Sequence, residues 1–236
     1  MNHRRWRWAL LLAGGLAGCG SPAPTSAPAA FRLANLAPDS RPFQVLRDGA
    51  PITTLNAINS DLLSPGSATR RIETNPGPAV WSGVVPGGPT YFSQTVPSAA
   101  GTTYGLWLLG KVQPATGQAA LHVVVATLND AVPAGAAGLR VLQAAFDIGG
   151  LDLVFRPDAT PAAEVSLGSA LAYGDAAPVT GGVVGLTGVP ATPGKIVIRA
   201  TGQTTSLYEA VLTPTAGQVV QVAVTGTASQ LSVVTW

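Results

Sequence analysis

Residues 31–39 read Phe-Arg-Leu-Ala-Asn-Leu-Ala-Pro-Asp, and residues 139–147 read Leu-Arg-Val-Leu-Gln-Ala-Ala-Phe-Asp. Each stretch is an apolar strand pattern with arginine at its second position, and each ends in an aspartate typical of a turn. The two stretches lie 108 residues apart. Because a long internal repeat indicates a duplicated structural unit, the sequence predicts two similar domains, 31–130 and 139–236, joined by a linker at 131–138.

The later parts of the two units also match, but at a wider spacing. Residues 103–110 and 219–226 are both apolar strand patterns that end in glycine, and they lie 116 residues apart. The second unit therefore carries about eight extra residues between its first strand and this landmark.

Composition favours strands over helices. The chain has 28 glycines and 20 prolines, and these residues interrupt long helices. Because 47% of its residues are hydrophobic, enough apolar surface remains for a core. Each unit has room for about seven short strands with turns between them. The sequence predicts an all-β protein of two tandem antiparallel β-sandwich domains of immunoglobulin-like type, placed after a signal peptide and a short linker.

The first residues have the pattern of an export signal. Arg4, Arg5 and Arg7 precede an apolar run of about ten residues, which is too short to span a bilayer as a helix and is typical of a signal peptide. We assign the signal peptide to 1–18 and a tether rich in proline, alanine and serine to 19–30.

The end of this segment, Leu16-Ala17-Gly18-Cys19, resembles the lipobox of bacterial lipoproteins. The resemblance implies cleavage before Cys19 and lipid on its thiol, which would hold the chain in a membrane. An ordinary secretory signal with an incidental cysteine is the alternative. Gly20 stands where an inner-membrane retention signal has aspartate, so resemblance to Gram-negative sorting implies the outer membrane, on its periplasmic face or at the cell surface.

Charge and residue inventory exclude several functions. Without the three signal-peptide arginines the chain has ten basic against eleven acidic side chains, so it lacks the basic footprint of a nucleic-acid-binding protein. His122 is then the one remaining histidine, and no Gly-x-Ser-x-Gly motif occurs. We expect no catalytic residue, no metal site and no cofactor. A hydrolase built on two carboxylates about 5–10 Å apart remains a third alternative.

Certain side chains have local expectations. We expect the recurrent aspartates (Asp39, Asp48, Asp147 and Asp152) to serve in turns and the recurrent arginines (Arg32 and Arg140) to pair with a turn aspartate. Trp107 lies in an apolar strand pattern and is expected in the core. Trp81, which lies near Gly83, is the candidate for stacking on a sugar; packing in the core is its alternative reading.

The motif Arg32-Leu33-x-Asn35-x-x-Pro38-Asp39-Ser40, followed by Asp48-Gly49, resembles the opening of the family called domain of unknown function 4397. In the second unit Gln143 and Phe146 replace the asparagine and the proline. The resemblance covers 31–236 as two copies. It implies a bacterial envelope protein with tandem β domains behind a lipoprotein signal, and it implies no particular activity.

The expected function is therefore that of a non-enzymatic envelope lipoprotein, anchored in a membrane by lipid. It would act by structural support or by binding envelope proteins or glycans through loops or sheet edges. The main alternative is a carbohydrate-binding or adhesive surface module.

Overall fold

The computed structural model describes residues 26–53, 61–159 and 163–236. Its elements in these ranges are all strands, which confirms the predicted all-β class. Within the same ranges there is no helix long and apolar enough to span a membrane. In chain order the strands are β1 (Ala29–Asn35), β2 (Phe43–Arg47), β3 (Ala50–Pro51), β4 (Leu62–Leu63), β5 (Ser67–Ala68), β6 (Ile72–Thr74), β7 (Gly77–Val84), β8 (Thr90–Ser98), β9 (Thr103–Leu109), β10 (His122–Leu128), β11 (Ala137–Gln143), β12 (Leu151–Pro157), β13 (Val165–Leu171), β14 (Ala176–Ala177), β15 (Val179–Thr180), β16 (Val183–Val184), β17 (Thr187–Val189), β18 (Gly194–Ala200), β19 (Ser206–Leu212), β20 (Val219–Thr227) and β21 (Gln230–Thr235).

The strands form four sheets, two in each repeat. Outer sheet 1 has the order β3-β2-β7-β8 with β4 also on β2, and inner sheet 1 has the order β15-β16-β10-β9-β1-β5 with β6 also on β1. Inner sheet 2 has the order β14-β11-β20-β21 with β17 also on β11, and outer sheet 2 has the order β13-β12-β18-β19. Each repeat is thus a β-sandwich made of one inner and one outer sheet.

Strand registers confirm the internal repeat. Ala30 lies opposite Thr103 where β1 pairs with β9, and Gly138 lies opposite Val219 where β11 pairs with β20. These pairs are related by the same spacings, 108 and 116, that the sequence alignment gave. The repeat is therefore structural as well as sequential.

The sheets are not purely antiparallel as expected. The pairings of β1 with β9, β11 with β20 and β10 with β16 are parallel. After β1 the chain passes through the outer sheet before it returns to β9, and such a crossover lets the returning strand run in the same direction. Alternating hydrophobicity does not encode strand direction, so the sequence pattern could not reveal this.

Three apolar layers separate the four sheets. One core lies inside each sandwich, with Phe31, Phe43 and Trp81 in the first and Leu139, Phe155 and Ile196 in the second. A third, the middle core, lies between the two inner sheets. Its buried members include Leu36, Trp107, Leu109, Leu128, Leu142, Val184 and Ala223. Trp107 is therefore a core residue, as expected, but it packs between the repeats.

The middle core explains why the inner strands are apolar almost throughout. Every residue of β11 is buried, and six of the seven residues of β1 are buried. A strand covered on both faces loses the alternation of a half-buried strand. The two repeats thus stack into one four-layered body.

The extra residues of the second repeat form a hairpin that joins the first repeat. Gly66 and Gly174, which occupy equivalent turns, are still 108 residues apart. Ile72 and Thr187, which occupy equivalent register positions farther along the chain, are 115 residues apart. The added length therefore lies in residues 177–186, which contain β15 and β16 and which we call the clasp hairpin. Here Val184 of β16 pairs with Leu128 of β10.

The first strand of each repeat begins two residues before the expected start of that repeat. Strand β1 begins at Ala29, inside the expected 19–30 tether, and β11 begins at Ala137, inside the expected 131–138 linker. Ala29, Ala30 and Ala137 are fully buried. Alanine gives a weak apolar signal in a sequence, so the pattern placed both strand starts too late.

Candidate functional site

The proposed lipidation site lies outside the described residues, and so does the lipobox before it. Cys19, Leu16, Ala17 and Gly18 all precede residue 26, where the described part of the chain begins.

Trp81 is a correction to the expected sugar-stacking site. Its side chain has 0% exposure, and its ring centroid lies 4.3 Å from that of Phe31 inside the first sandwich. Strand β7 alternates with Ala79, Trp81 and Gly83 inward and Val80 outward. Gly83 lies close to Phe43 and leaves the space that the core rings occupy. A ring buried in this way cannot stack on a glycan.

Asp39 and Asp48 of the first repeat lie in turns, as expected, but their carboxylates bind backbone amides that are distant in the sequence. The Asp48 carboxylate accepts a hydrogen bond from the Val80 amide at 2.8 Å, and its backbone has a φ of 52°. The two carboxylate oxygens of Asp39 accept from the amides of Val112 and Gln113 at 2.9 and 3.1 Å. Both carboxylates accept hydrogen bonds from backbone amides and thereby hold other segments of the chain against their turns.

In the second repeat Asp152 is a correction, because it lies in strand β12 and not in a turn. Asp152 accepts from the amides of Ala170 and Gly202, both at 2.8 Å, and these hydrogen bonds lower the pKa of its carboxyl group. Asp147 occupies a turn with a φ of 70°. In the described ranges no group of three or more His, Cys, Asp or Glu side chains is arranged to hold a metal ion.

Arg32 and Arg140 meet at one carboxylate. Arg32 Nη2 lies 3.4 Å from Asp130 Oδ2, and Arg140 Nη2 lies 3.0 Å from Asp130 Oδ1. The expected partner was an aspartate in a turn; the observed one follows β10 in the segment that joins the repeats. We call these three residues the arginine latch.

Arg140 also fastens the clasp hairpin. The side chain is 1% exposed and donates to the carbonyl oxygens of Asn129, Val184 and Gly185 at 2.9–3.2 Å. Burial lowers the pKa of its guanidinium, and the hydrogen bond that it donates to Asp130 opposes that shift. The latch therefore couples the second repeat, the connecting segment and the clasp hairpin.

Charged side chains cover the outward face of outer sheet 2 in alternating signs. Glu209 pairs with Arg156 and with Lys195, the latter at 3.0 Å, and Glu164 pairs with Arg199 at 2.6 Å. These partners lower the pKa of both glutamates. Each acid is neutralised by neighbouring bases on a sheet face, which does not provide the cleft and the raised pKa of a general acid.

His122 has a local structural role. It is exposed at the start of β10, its Nδ1 lies 2.9 Å from the carbonyl oxygen of Ala120, and its ring meets that of Tyr173 at 5.8 Å. These contacts tie it to the neighbouring turn rather than to an acid or a nucleophile.

A recess that combines residues of both repeats lies beyond the ends of β1 and β11. A cavity of about 410 Å³ and a second of about 260 Å³ share Pro38, Gly226 and Ser232, and we call the two together the inter-repeat groove. Its size is that of small-ligand sites, about 300–1,000 Å³. The apolar lining consists of Leu36, Pro38, Pro65, Phe146, Leu231 and Val234.

Polar groups stand at the rim of the groove. Lys111 Nζ lies 4.6 Å from the centre of the Phe146 ring, a cation–π contact across the two repeats. Thr227, Gln230 and Ser232 add hydroxyl and amide groups. The carboxylate in the lining is that of Asp39, which accepts hydrogen bonds from the amides of Val112 and Gln113.

Sequence reasoning missed the groove because its two walls come from different repeats. Pro38 and Phe146 each attracted notice as members of a repeated motif, yet their proximity depends on how the inner sheets pack. One signal existed: Phe146 replaces the proline of the first copy. No model of a known protein family and no curated protein matches this chain.

Proposed function

We propose that the protein is a lipid-anchored lipoprotein of the bacterial cell envelope with a non-enzymatic binding or support role. The observation that carries the role is the packing of both repeats into one four-layered body, in which several acidic side chains bind backbone amides or pair with arginine and lysine. Such a body is suited to presenting a fixed surface to a partner.

The anchor rests on the lipobox pattern at residues 16–19 and on the tether that separates it from the fold. The described chain enters β1 at Ala29, so about ten residues, several of them proline, lie between Cys19 and the first strand. A proline-rich segment extends about 3 Å per residue, which would place the sandwiches roughly 30 Å from the membrane. Membership of the domain of unknown function 4397 family belongs to the same proposal.

The carbohydrate-binding alternative loses the ring on which it depended, since Trp81 lies in the core. The carboxylate hydrolase finds no support in the pairing of Glu164 and Glu209 with bases. Envelope proteins are therefore the partners that we propose.

The anchor is tested by metabolic labelling with an alkynyl fatty acid followed by membrane fractionation. We expect the wild-type chain to carry label and sediment with membranes, and Cys19→Ser to lose the label and become soluble. Ser21→Ala is the matched control and should behave as wild type. Label on the Cys19→Ser chain would refute anchoring at this cysteine.

Location is tested separately with Gly20→Asp and with protease treatment of intact and lysed cells. The proposal predicts outer-membrane fractionation for wild type and a shift to the inner membrane for Gly20→Asp. Degradation in intact cells would place the sandwiches at the cell surface, and protection until lysis would place them in the periplasm.

A further inference from the structure

Equivalent residues of the two repeats come together between the inner sheets, as they do across the two-fold axis of a homodimer. Arg32 and Arg140, which are equivalent, share Asp130. Farther along the interface, Lys111 of the first repeat lies on Phe146 of the second, and the equivalent residues Thr227 and Pro38 line the same cavity. The packing of the repeats is therefore pseudo-symmetric, and each side of it can be compared with the other.

One side of this interface is filled by aromatic rings. The ring of Tyr173, from the second repeat, lies 5.8 Å from that of His122 on β10, and Tyr173 belongs to the partly buried set around the middle core. Burial raises the pKa of its phenol. Next to it stands the pair of Lys111 and Phe146.

The other side lacks both rings. Pro65 is the equivalent of Tyr173, since Gly66 and Gly174, which come directly after them, both donate to the last residue of the first strand, Asn35 or Gln143. Ser232 of β21 takes the place of His122 by strand register.

The inter-repeat groove lies where these substitutions fall. Its lining includes Pro38, Pro65 and Ser232. The smaller cavity of the groove, which is lined by Pro65 and Ser232, thus corresponds to the space that Tyr173 and His122 occupy on the opposite side of the pseudo-dyad.

We propose that the inter-repeat groove binds an aromatic side chain, tyrosine or phenylalanine, presented by an extended segment of a partner protein that lies along β21. The choice of ring follows from the opposite side, where Tyr173 occupies the equivalent space. Pro38 and Pro65 offer flat apolar faces to it, and Thr227 and Gln230 stand at the rim within the same cavity.

The choice of an extended protein segment follows from β21, which borders the groove. In the described chain β21 pairs with β20 alone and forms the edge of its sheet. Mutual hydrogen bonds between Gln221 and Trp236 fix the alternation, so the N–H and C=O groups of Leu231, Val233 and Thr235 point away from β20. Exposed edges of this kind pair with extended peptides.

The chain itself contains a precedent for strand addition to the equivalent edge strand, although at its other end. Strand β10 is the first-repeat equivalent of β21, and the clasp hairpin adds β16 to the open side of β10 at Thr127 and Leu128, which lie beyond the stretch of β10 that corresponds to β21. The second copy of the edge is covered by no described residue in that way.

This inference deepens the binding role proposed above, but its test does not depend on the lipid anchor. The full chain, expressed in its processed form and purified in detergent, is titrated with acetyl-Thr-Val-Tyr-Val-Thr-amide. Amide and methyl chemical shifts are followed by NMR. We expect perturbation confined to β21, to the residues that line the groove and to those that flank Pro38 and Pro65. The same peptide with alanine for tyrosine should bind at least tenfold more weakly.

Two variants make the test specific. Pro65→Tyr should abolish peptide binding by filling the groove, and it should fold because the equivalent turn already carries Tyr173. Val80→Tyr, at an exposed site on outer sheet 1, is the matched control and should bind as wild type. Thr235→Pro removes one edge amide directed away from β20 and should weaken binding severalfold without changing the shifts of the first repeat.

Three outcomes would overturn the inference. Equal binding of the tyrosine and alanine peptides would show that the aromatic ring is not recognised. Unchanged binding by Pro65→Tyr would show that the peptide does not occupy the groove. Binding of N-acetyltyrosinamide as tight as that of the peptide would assign the groove to small aromatic molecules instead of a protein segment. Each result holds whether or not Cys19 carries lipid.

Discussion

Asp130 accepts hydrogen bonds from two arginines at equivalent positions of the two repeats. Two cations on one carboxylate leave a positive excess, and Arg140 spreads its charge over three carbonyl oxygens as well. The latch therefore depends on the single anion. Because Arg140 is almost fully buried, the loss of that anion is costly.

Asp130→Asn should lower the free energy of unfolding by roughly 3 kcal/mol, the lower end of the range for breaking a buried ion pair. The measurement is urea denaturation followed by tryptophan fluorescence. Arg32→Met serves as the comparison and should cost about 1 kcal/mol or less, since that arginine is partly exposed and its contact is long. Equal losses in the two variants would contradict the latch as described.

Gln221 supplies a prediction of opposite sign. It is 2% exposed, and neither its Nε2 nor its Oε1 has a hydrogen-bond partner in the described chain. A buried amide without partners costs about 1–3 kcal/mol. Gln221→Met, which keeps the length of the side chain, should therefore raise the urea midpoint. A fall in the midpoint would mean that the amide is satisfied by bound water.

The sequence motif of the first strand has a residue-level explanation. Asn35 Oδ1 accepts from the Ala37 amide, and Gln143 Oε1 accepts from the Ala145 amide. The two amide side chains thus make the same hydrogen bond, so the replacement of asparagine by glutamine in the second repeat preserves this contact. Trp81 failed as a prediction because a glycine near a tryptophan indicates a turn as readily as a close packing site in a strand.

At the scale of elements, the clasp hairpin holds the repeats together from one side. Val184 is 5% exposed in the middle core, and its carbonyl oxygen accepts from the Asn129 amide and from Arg140. The internal alignment predicted about eight extra residues in the second repeat but not that they would form strands on a sheet of the first repeat. A strand that pairs with the other repeat is specified by tertiary contacts, which no local pattern contains.

Val184→Asp should lower the free energy of unfolding by about 2–4 kcal/mol, because it places a carboxylate in the middle core. Hydrogen exchange at the Asn129 amide should accelerate in parallel. The matched control is Val179→Asp in the same hairpin, where the side chain is 55% exposed; its effect should stay within about 0.5 kcal/mol. Unchanged exchange at Asn129 would show that the clasp hairpin is not the element that protects it.

Outer sheet 2 should make stability depend on acid. The pKa values of Glu164 and Glu209 lie below their ordinary value of 4.5 in the folded state. Groups of this kind contribute stability that is fully present above the ordinary pKa and is lost as pH falls through the lowered one. The urea midpoint should therefore decline as pH falls below about 4.5. A Glu164→Gln, Glu209→Gln double variant should show a flatter profile in that window, and a parallel decline would assign the acid sensitivity to other groups.

At the scale of the whole molecule, the sequence predicted two β-sandwiches but not their stacking. The repeat could be read because duplicated patterns survive in Arg32 and Arg140. The strand count could not, since the described residues contain ten and eleven strands in the two repeats where about seven were expected in each. The middle core could not be read, because apolar residues on both faces of β1 and β11 are equally consistent with any buried strand. The inter-repeat groove could not be predicted from the sequence either, since it exists only where the two repeats meet.

The stacking predicts that neither repeat is stable as an isolated monomer under conditions where the whole chain is folded. Separation would expose the middle core, including Trp107, Leu109 and Leu142, and would leave Arg140 without Asp130 if the cut is made after that aspartate. Exposed apolar patches of this size drive association. We therefore expect residues 26–130 and 131–236, expressed separately, to aggregate or to recombine into a one-to-one complex when mixed, whereas the intact chain unfolds in one transition by fluorescence and by circular dichroism. Two separate transitions in the intact chain, or two soluble monomeric halves, would mean that the middle core contributes little and that the repeats behave as independent domains.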